Sequence, residues 1–316
     1  MTTSPPKPAR SSSWTRSVDA LRARPVAAAV AGAAVIAFSA ILVRLADVTP
    51  ETAAVFRCVY ALPLLGMLAV LERRRFGPRP GRERRLGLIA GVLFAADLVL
   101  WHHAIADVGA GLATVLGNLQ VVLVAFLAWG LLGERPSGRI GVAVPVVVAG
   151  AVLISGVLEQ DAYGDEPARG VLFGVLTTLA YAGFLLVLRQ TNTDDRRPAG
   201  PLFDATLSGA VVAALAGALY GATDLVPSWP EHGWLALLAV SSQVVGWLLI
   251  SVSLPRLPAA LTSLLLLIQP VSSVALGALI LEERPSLLQV PGVVVILAGV
   301  VFAARQSRTA PDVVGA

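Results

Sequence analysis

Three ionisable residues lie inside one otherwise apolar segment, ADLVLWHHA at residues 96–104. The Asp97 carboxylate could bind a substrate amine or carry a coupled proton, and histidine titrates close to neutral pH. On an α-helix, His102 and His103 lie about 140° and −120° around the axis from Asp97, whereas Trp101 shares its face. This spacing does not build an Asp-His-His metal site, and we expect neither a metal nor a cofactor.

The composition indicates that this segment lies in a membrane. Of the 316 residues, 56% are hydrophobic and 14% are charged, whereas soluble domains carry about 25% charged residues. The mean hydropathy is +0.77. The net charge of +4 is better explained by arginines that flank membrane spans than by nucleic-acid binding. We therefore expect an integral protein of the lipid bilayer that binds no nucleic acid.

Apolar runs of about the 20 residues that a helix needs to cross the hydrocarbon core recur ten times. They cover residues 26–43, 52–71, 86–106, 109–132, 140–157, 170–188, 202–222, 234–253, 259–281 and 287–304. The predicted fold class is all-α integral membrane, with ten transmembrane helices joined by short connections.

The basic residues predict the orientation, because arginine and lysine are retained on the cytoplasmic side. With a cytoplasmic N-terminus, 20 of the 24 basic residues fall in cytoplasmic segments. The outer connections hold Arg44, Arg169 and Arg284, and Arg57 lies within a span. This split predicts that the N- and C-termini are both cytoplasmic.

The chain contains an internal repeat at an offset of 149 residues. GERPSGRIGVAVPVVVAG at 133–150 aligns without a gap with EERPSLLQVPGVVVILAG at 282–299, and residues 110–156 match residues 259–305 at 16 of 47 positions. Each half then holds five helices, and this odd number requires that the second half is inverted. Inverted repeats are typical of secondary transporters, whose substrate site lies near the midplane between the halves. In each ERPS turn we expect the Glu and Arg to pair and the Ser to cap the next helix.

The repeat divides the chain into five parts. We predict a disordered cytoplasmic tail at 1–25, a first repeat of helices 1–5 at 26–157, an external linker at 158–169, a second repeat of helices 6–10 at 170–304 and a cytoplasmic tail at 305–316.

The two repeats, the ERPS turns and Arg57 in AAVFRCVYALPLL (53–65) together resemble the EamA family of the drug/metabolite transporter superfamily. The resemblance covers roughly residues 26–305. It implies ten helices, cytoplasmic termini and export or exchange of small metabolites such as amino acids. One departure is that predicted helix 7 carries Asp204 in PLFDATL and has no counterpart of Arg57.

Polar side chains near the middle of the spans form the candidate substrate-binding or coupling site. The rise of a helix places Asp97 and Asn118 at a similar depth, about 13 Å from the outer end. Gln243 and the repeat partners Gln120 and Gln269 also fall near midspan. This polar belt could bind substrate, or it could only join helices by hydrogen bonds. Asn118 and Gln120 lie about 200° apart on a helix, so we do not expect both to face one point.

A buried cation and several aromatic residues complete the polar belt. Arg57 could bind an anion in the cavity, or it could pair with a carboxylate or with backbone carbonyls. Trp101, Tyr60, Tyr181 and Trp247 could wall an apolar cavity or serve packing alone.

The sequence predicts a transporter and not an enzyme, because it contains neither HExxH nor GxxxxGK[ST]. We expect a secondary active transporter of the bacterial plasma membrane that exports small metabolites, such as amino acids or drug-like solutes, by alternating access. Proton coupling through Asp97, His102 or His103 is left open, as is a homodimer. One histidine could line the outer mouth while the other contacts backbone or the interface. The alternative is a structural or lipid-translocating multi-pass protein.

The inverted repeat predicts that the two ERPS turns lie on opposite sides of the membrane. We expect a cysteine at Ser286 to react with an impermeant thiol reagent in intact cells, and a cysteine at Ser137 to react only after permeabilisation. Replacing Cys58, the single native cysteine, by Ala removes the background. Labelling of both positions from the same side would contradict the inversion.

Overall fold

The computed structural model describes residues 21–120, 122–123, 138–155, 158–159, 161–191, 194, 196–220, 223–226, 228–253, 256–257, 265–266 and 268–304. Within these residues all regular structure is helical, as predicted. The predictions for residues 1–20, for the first ERPS turn at 134–137, for the second half of predicted span 4, for the start of span 9 and for residues 305–316 lie outside this set.

Ten helices correspond to the ten predicted spans, and we number them in chain order. They are α1 (Pro25–Ala46), α2 (Pro50–Phe76), α3 (Gly81–Val108), α4 (Ala110–Gly117), α5 (Gly138–Ile154), α6 (Pro167–Thr191), α7 (Ala199–Tyr220), α8 (Glu231–Ser253), α9 (Ile268–Ile280) and α10 (Gln289–Ala304). Six of them, α1–α3 and α6–α8, are long and apolar enough to cross a membrane, and α5, α9 and α10 are shorter apolar helices.

Local sequence signals fix the ends of α2 and α3. Thr49 precedes α2 and its Oγ1 accepts a hydrogen bond of 3.3 Å from the Thr52 N–H, while Pro50 occupies the first helical turn, as expected at a helix start. Gly77 and Gly109 end α2 and α3 with φ angles of 81° and 87°, which favour glycine. Because Gly109 turns the chain within one residue, α4 begins directly beside the end of α3.

The helices pair across the repeat boundary. The main contacts of α2 are with α7, those of α3 with α6, those of α5 with α10 and those of α4 with α9, while α1 packs against α8. Each of these five pairs joins one helix of the first half to one helix of the second.

The contact between α5 and α10 repeats itself with the offset seen in the sequence. A Cβ added to Gly150 would lie 2.6 Å from Ile296 Cγ1, and one added to Gly299 would lie 2.7 Å from Val147 Cγ1. Residues 150 and 299, like 147 and 296, are 149 positions apart. The side-chain amide of Gln289, at the start of α10, donates to the Ile154 carbonyl at the end of α5, so the helices are antiparallel. Paired contacts of this kind are produced by a twofold axis between two equivalent helices.

The connections predicted to be external meet at one end of the helix bundle. Arg169 donates two hydrogen bonds of 2.7 and 2.8 Å to Asp107, and the Tyr163 N–H donates one of 2.8 Å to Gln289 Oε1. At the other end the start of α7 meets the end of α2. This arrangement agrees with the predicted alternation of the spans, whereas the side that faces the cytoplasm stays a prediction.

The second ERPS turn differs in part from expectation. The buried Glu283 does not pair with the exposed Arg284 but accepts hydrogen bonds of 2.6 and 3.0 Å from the backbone N–H groups of Ala110 and Gly111. The predicted pairing is wrong because the first N–H groups of α4 have no partner within the helix and attract a negative charge.

The expected serine cap is present in this turn. The Gln289 N–H donates to Ser286 Oγ at 3.2 Å, and the Ser286 N–H donates to Gln289 Oε1 at 3.0 Å. This reciprocal pair is a capping box.

We predict that the Glu283 carboxylate stabilises the fold. Glu283→Gln replaces one acceptor oxygen by an NH₂ group that faces a backbone donor, so we expect the free energy of unfolding to fall by about 1–3 kcal/mol. The matched change in the exposed neighbour, Glu282→Gln, should alter it by less than about 0.5 kcal/mol. Thermal unfolding of the detergent-solubilised protein measures both, and equal melting temperatures for the two variants would contradict the assignment.

Candidate functional site

A cavity of about 80 Å³ lies among helices of both repeats. It receives eight of the twelve residues proposed from the sequence, which are Arg57, Asp97, Trp101, Asn118, Gln120, Tyr181, Trp247 and Gln269. The remaining lining residues are Ile36, Ser39, Phe94, Leu98, Thr114, Gly117 and Thr177. Gln120, just after α4, and its repeat partner Gln269 on α9 thus contribute to the same cavity.

Arg57 joins helices of both repeats at this cavity. Its guanidinium is buried and donates from Nε to Gln243 Oε1 and from Nη1 to Ser39 Oγ, both at 3.0 Å. Its Cζ lies 5.9 Å from the centroid of the Trp101 ring, within the range of a cation–π interaction. Both hydrogen-bond acceptors are neutral, so among the described residues Arg57 has no direct ion pair that balances its charge.

Gln243 lies behind Arg57 rather than on the cavity. Its amide nitrogen donates to Thr206 Oγ1 at 3.1 Å while its oxygen accepts from Arg57. It belongs to a π-helical stretch of α8 at Ala239–Gly246, and such stretches are frequent at functional sites. The structure therefore places Gln243 as a residue that positions Arg57.

Asp97 faces the cavity from the neighbouring helix α3. The Thr177 hydroxyl of α6 donates to Asp97 Oδ1 at 2.6 Å and to the Asp97 carbonyl at 2.8 Å. The residue as a whole is half-buried and lines the cavity. One small volume therefore holds a cationic and an anionic side chain that are held by separate neutral partners.

Asn118 and Gln120 both line the cavity, so the expectation that they face different points is wrong. That expectation assumed a continuous helix, but α4 ends at Gly117. The N–H groups of Asn118 and Leu119 bond carbonyls three residues earlier, which tightens the backbone as in a 3₁₀ turn. The Asn118 amide also donates to the Thr114 carbonyl at 2.8 Å.

Aromatic rings close one side of the cavity. Trp247 packs edge-on against Phe94 and Phe184, with centroid distances of 6.1 and 5.3 Å, and against Tyr181 at 6.0 Å. The buried Trp247 Nε1 has no hydrogen-bond partner among the described residues, which leaves an indole donor in the lining.

The structure places His102 and His103 away from the cavity, at the predicted outer end. His102 is buried and its Nδ1 hydrogen bonds the Pro50 carbonyl at 3.0 Å. His103 Nε2 lies 3.0 Å from Glu51 Oε1, and its ring stacks on Phe173. Both histidines thus contact the first turn of α2. His102 makes the expected backbone contact, and a place for His103 at the outer mouth stays a prediction.

Tyr60 also lies away from the cavity. Its hydroxyl hydrogen bonds His232 Nδ1, and its ring contacts Phe56 at a centroid distance of 5.1 Å. The cavity wall proposed for Tyr60 is therefore supplied by other rings.

The hydroxyl residues of the site were not predicted from the sequence. Ser39, Thr114 and Thr177 lie in apolar spans, where most hydroxyls bond a carbonyl of their own helix. Thr114 does so, with the Ala110 carbonyl at 2.8 Å. Thr177 instead reaches Asp97, which depends on the pairing of α3 with α6. Within the described residues, no group of three or more His, Cys, Asp or Glu side chains could hold a metal ion.

Comparison with known proteins agrees with this architecture. The sequence model of the EamA-like transporter family matches residues 24–156 and 168–305. The chain is also similar to a solved crystal structure, with a TM-score of 0.60 and 16% identity over 91% of this chain and 99% of that one, a level of identity that shows the fold alone. No curated protein matches the sequence. The two matched segments together cover most of the chain, and the protein belongs to the EamA-like transporter family.

Proposed function

We propose that this multi-pass membrane transporter is a secondary active exporter of small zwitterionic metabolites, such as amino acids, in the bacterial plasma membrane. The observation that carries the proposal is the cavity between the repeats that holds both Arg57 and Asp97. Charged side chains at this depth are costly unless they face protein or water, so they mark substrate or ion pathways.

The lining suggests a role for each part of the site. Arg57 binds an anionic group such as a carboxylate, because its two assigned partners are neutral and leave its charge unbalanced. Asp97 binds the amine of the substrate or carries the coupled proton. The rings of Trp101 and Trp247 and the side-chain amides of Gln120 and Gln269 surround the remainder of the solute.

The volume of the cavity limits the substrate. At about 80 Å³ it is smaller than the 300–1,000 Å³ (roughly) of sites for drug-sized ligands. A small metabolite therefore fits this conformation better than a drug-like solute, which would require the surrounding helices to separate.

Two irregular backbone segments next to the cavity can support alternating access. One is the turn after Gly117 in α4 and the other is the π-helical stretch Ala239–Gly246 of α8. Broken helices beside a midplane site are a recurring feature of secondary transporters, because bending there changes access to the site without breaking a regular helix.

Asp97 should be required for proton-driven transport. In proteoliposomes with an imposed pH gradient, we expect Asp97→Asn to lower uptake of a transported metabolite by about tenfold or more, because a neutral amide neither carries a proton nor attracts an amine. Asp165→Asn, which makes the same change at an exposed residue outside the cavity, should leave uptake unaltered. Unchanged gradient-driven uptake by Asp97→Asn would remove Asp97 from the mechanism.

Arg57 should recognise the anionic group of the substrate. We expect a panel of amino acids and other metabolites to raise the melting temperature of the purified protein, and the best ligand to bind about 10- to 100-fold more weakly to Arg57→Gln. Arg57→Lys keeps the positive charge, so its affinity for the ligand should fall less. For the wild-type protein, the same ligand with its carboxylate converted to an amide should also bind weakly.

The same measurements test the site as a whole. If no metabolite of the panel stabilises the wild-type protein, the solute-transport proposal fails and a structural or lipid-translocating role is favoured. If Arg57→Gln binds the carboxylate and the amide as the wild type does, Arg57 is a structural residue.

A further inference from the structure

An array of exposed arginines flanks the connection between α2 and α3. We call it the arginine rim, and it consists of Arg73, Arg74, Arg82, Arg84 and Arg85, all of which are exposed. The first two lie in the last turn of α2, and the other three lie in the first turns of α3. The rim is at the opposite end of the molecule from the Glu283 turn and has no part in the cavity.

The carboxylates at this end mostly serve other contacts. The buried Glu72 accepts hydrogen bonds of 2.9 and 2.8 Å from the backbone N–H groups of Ala199 and Gly200. Asp204 pairs with Arg79, which is not part of the rim, and it also interacts electrostatically with Arg84 of the rim.

Asp194 also binds residues outside the rim. It accepts hydrogen bonds from Arg196 and Arg197, and the Arg196 hydrogen bonds lower the pKa of Asp194 to about 2. Glu72, Asp194 and Asp204 therefore each bind groups outside the rim, and the fourth described carboxylate at this end, Glu83 at the start of α3, also has an interaction of its own. The rim carries more positive charge than these carboxylates can balance.

The position of three rim arginines is unfavourable for the helix that carries them. Cations are stabilised near the C-terminus of a helix and destabilised near its N-terminus. Arg73 and Arg74 obey this rule, but Arg82, Arg84 and Arg85 lie at the start of α3. The retention of basic residues on one side of the membrane explains on which side these three arginines lie. It does not explain why they lie at the start of a helix, a position that a bound anion would stabilise.

The rim lies at the depth of phospholipid head groups. The apolar part of α2 ends at Leu71 and that of α3 begins at Leu86, so a rise of 1.5 Å per residue places the rim about 2–6 Å beyond these boundaries. The head-group layer on each side of the hydrocarbon core is about 5–8 Å thick.

The backbone that carries the rim is held in place. Arg197 of the connection between α6 and α7 donates to the carbonyls of Gly77 and Phe76 at 3.2 and 3.5 Å, and the Arg79–Asp204 pair ties the same turn to α7. Because this backbone is already ordered, binding of phosphate to the rim needs to order only the arginine side chains, which lowers the entropic cost of binding.

We propose that the arginine rim is a binding surface for the phosphate groups of anionic phospholipids in the adjacent membrane leaflet. The guanidinium groups bind phosphate oxygens by charge-assisted hydrogen bonds, and the lipid charge balances the arginines at the start of α3.

The proposal is tested by lipid selectivity in reconstituted bilayers. The association of spin-labelled phosphatidylglycerol with the protein, relative to spin-labelled phosphatidylcholine, is measured for the wild type and for two double variants. We expect the wild type to prefer phosphatidylglycerol, and Arg74→Gln/Arg84→Gln to lower the preference by up to about fivefold for each arginine removed. Arg44→Gln/Arg284→Gln removes the same charge from two exposed arginines at the other end and should keep the preference.

Each remaining outcome overturns the proposal. An equal loss in both double variants would show a net-charge effect, and no loss in either would show that the rim does not bind lipid. Melting temperatures in neutral detergent verify that both variants are folded. Inorganic phosphate at the same phosphate concentration as the lipid should not raise the melting temperature as phosphatidylglycerol does; an equal rise would assign the rim to soluble anions.

Discussion

The guanidinium of Arg57 lies within the span of a transmembrane helix, where water cannot solvate it freely, and the protein must supply its hydrogen-bond partners. It does so with neutral acceptors on α1 and α8 and with the ring of Trp101 on α3. Four helices from both repeats thus converge on one cation. These hydrogen-bond partners are neutral, and they hold the guanidinium at the edge of the cavity that Asp97 also lines. Asp97 is held separately, by a hydrogen bond from the Thr177 hydroxyl of α6.

Two buried glutamates bind backbone N–H groups that have no partner within their own helix. Glu283 binds the first N–H groups of α4, and Glu72 binds those of α7 at the opposite end of the bundle. In each case a carboxylate from a distant part of the chain, Glu72 near the end of α2 and Glu283 in the turn after α9, satisfies donors that a helix start leaves unpaired. The contacts join distant parts of the chain, since both glutamates lie far in sequence from the helices that they cap. Conformations that open either end of the transporter must therefore keep these contacts or find other acceptors for the N–H groups.

Features that depend on composition and periodicity could be predicted from the sequence. The length of the apolar runs predicted the ten helices, and the mid-depth polar residues Asp97, Asn118, Gln120 and Gln269 line one cavity because residues at equal depth in packed helices come close together. Features that depend on backbone irregularity or on helix pairing could not be predicted. Asn118 and Gln120 line one cavity because α4 ends at Gly117. The predicted angle of about 200° between them applies only to a continuous helix. The partners of His102, His103 and Tyr60 depend on how α2, α3 and α8 pack. Glu283 likewise binds backbone N–H groups of α4 and not the adjacent Arg284, and only the packing of the helices shows this.

The pairing of helices across the repeat boundary constrains how the protein changes shape. Tight glycine contacts such as those at Gly150 and Gly299 join α5 to α10, and the other four pairs likewise link the two halves. If each half swung as a separate rigid body, all five seams would have to separate at once. The tightest helix–helix contacts of this structure therefore run across the boundary between the repeats, and each stable unit of packing contains helices of both halves.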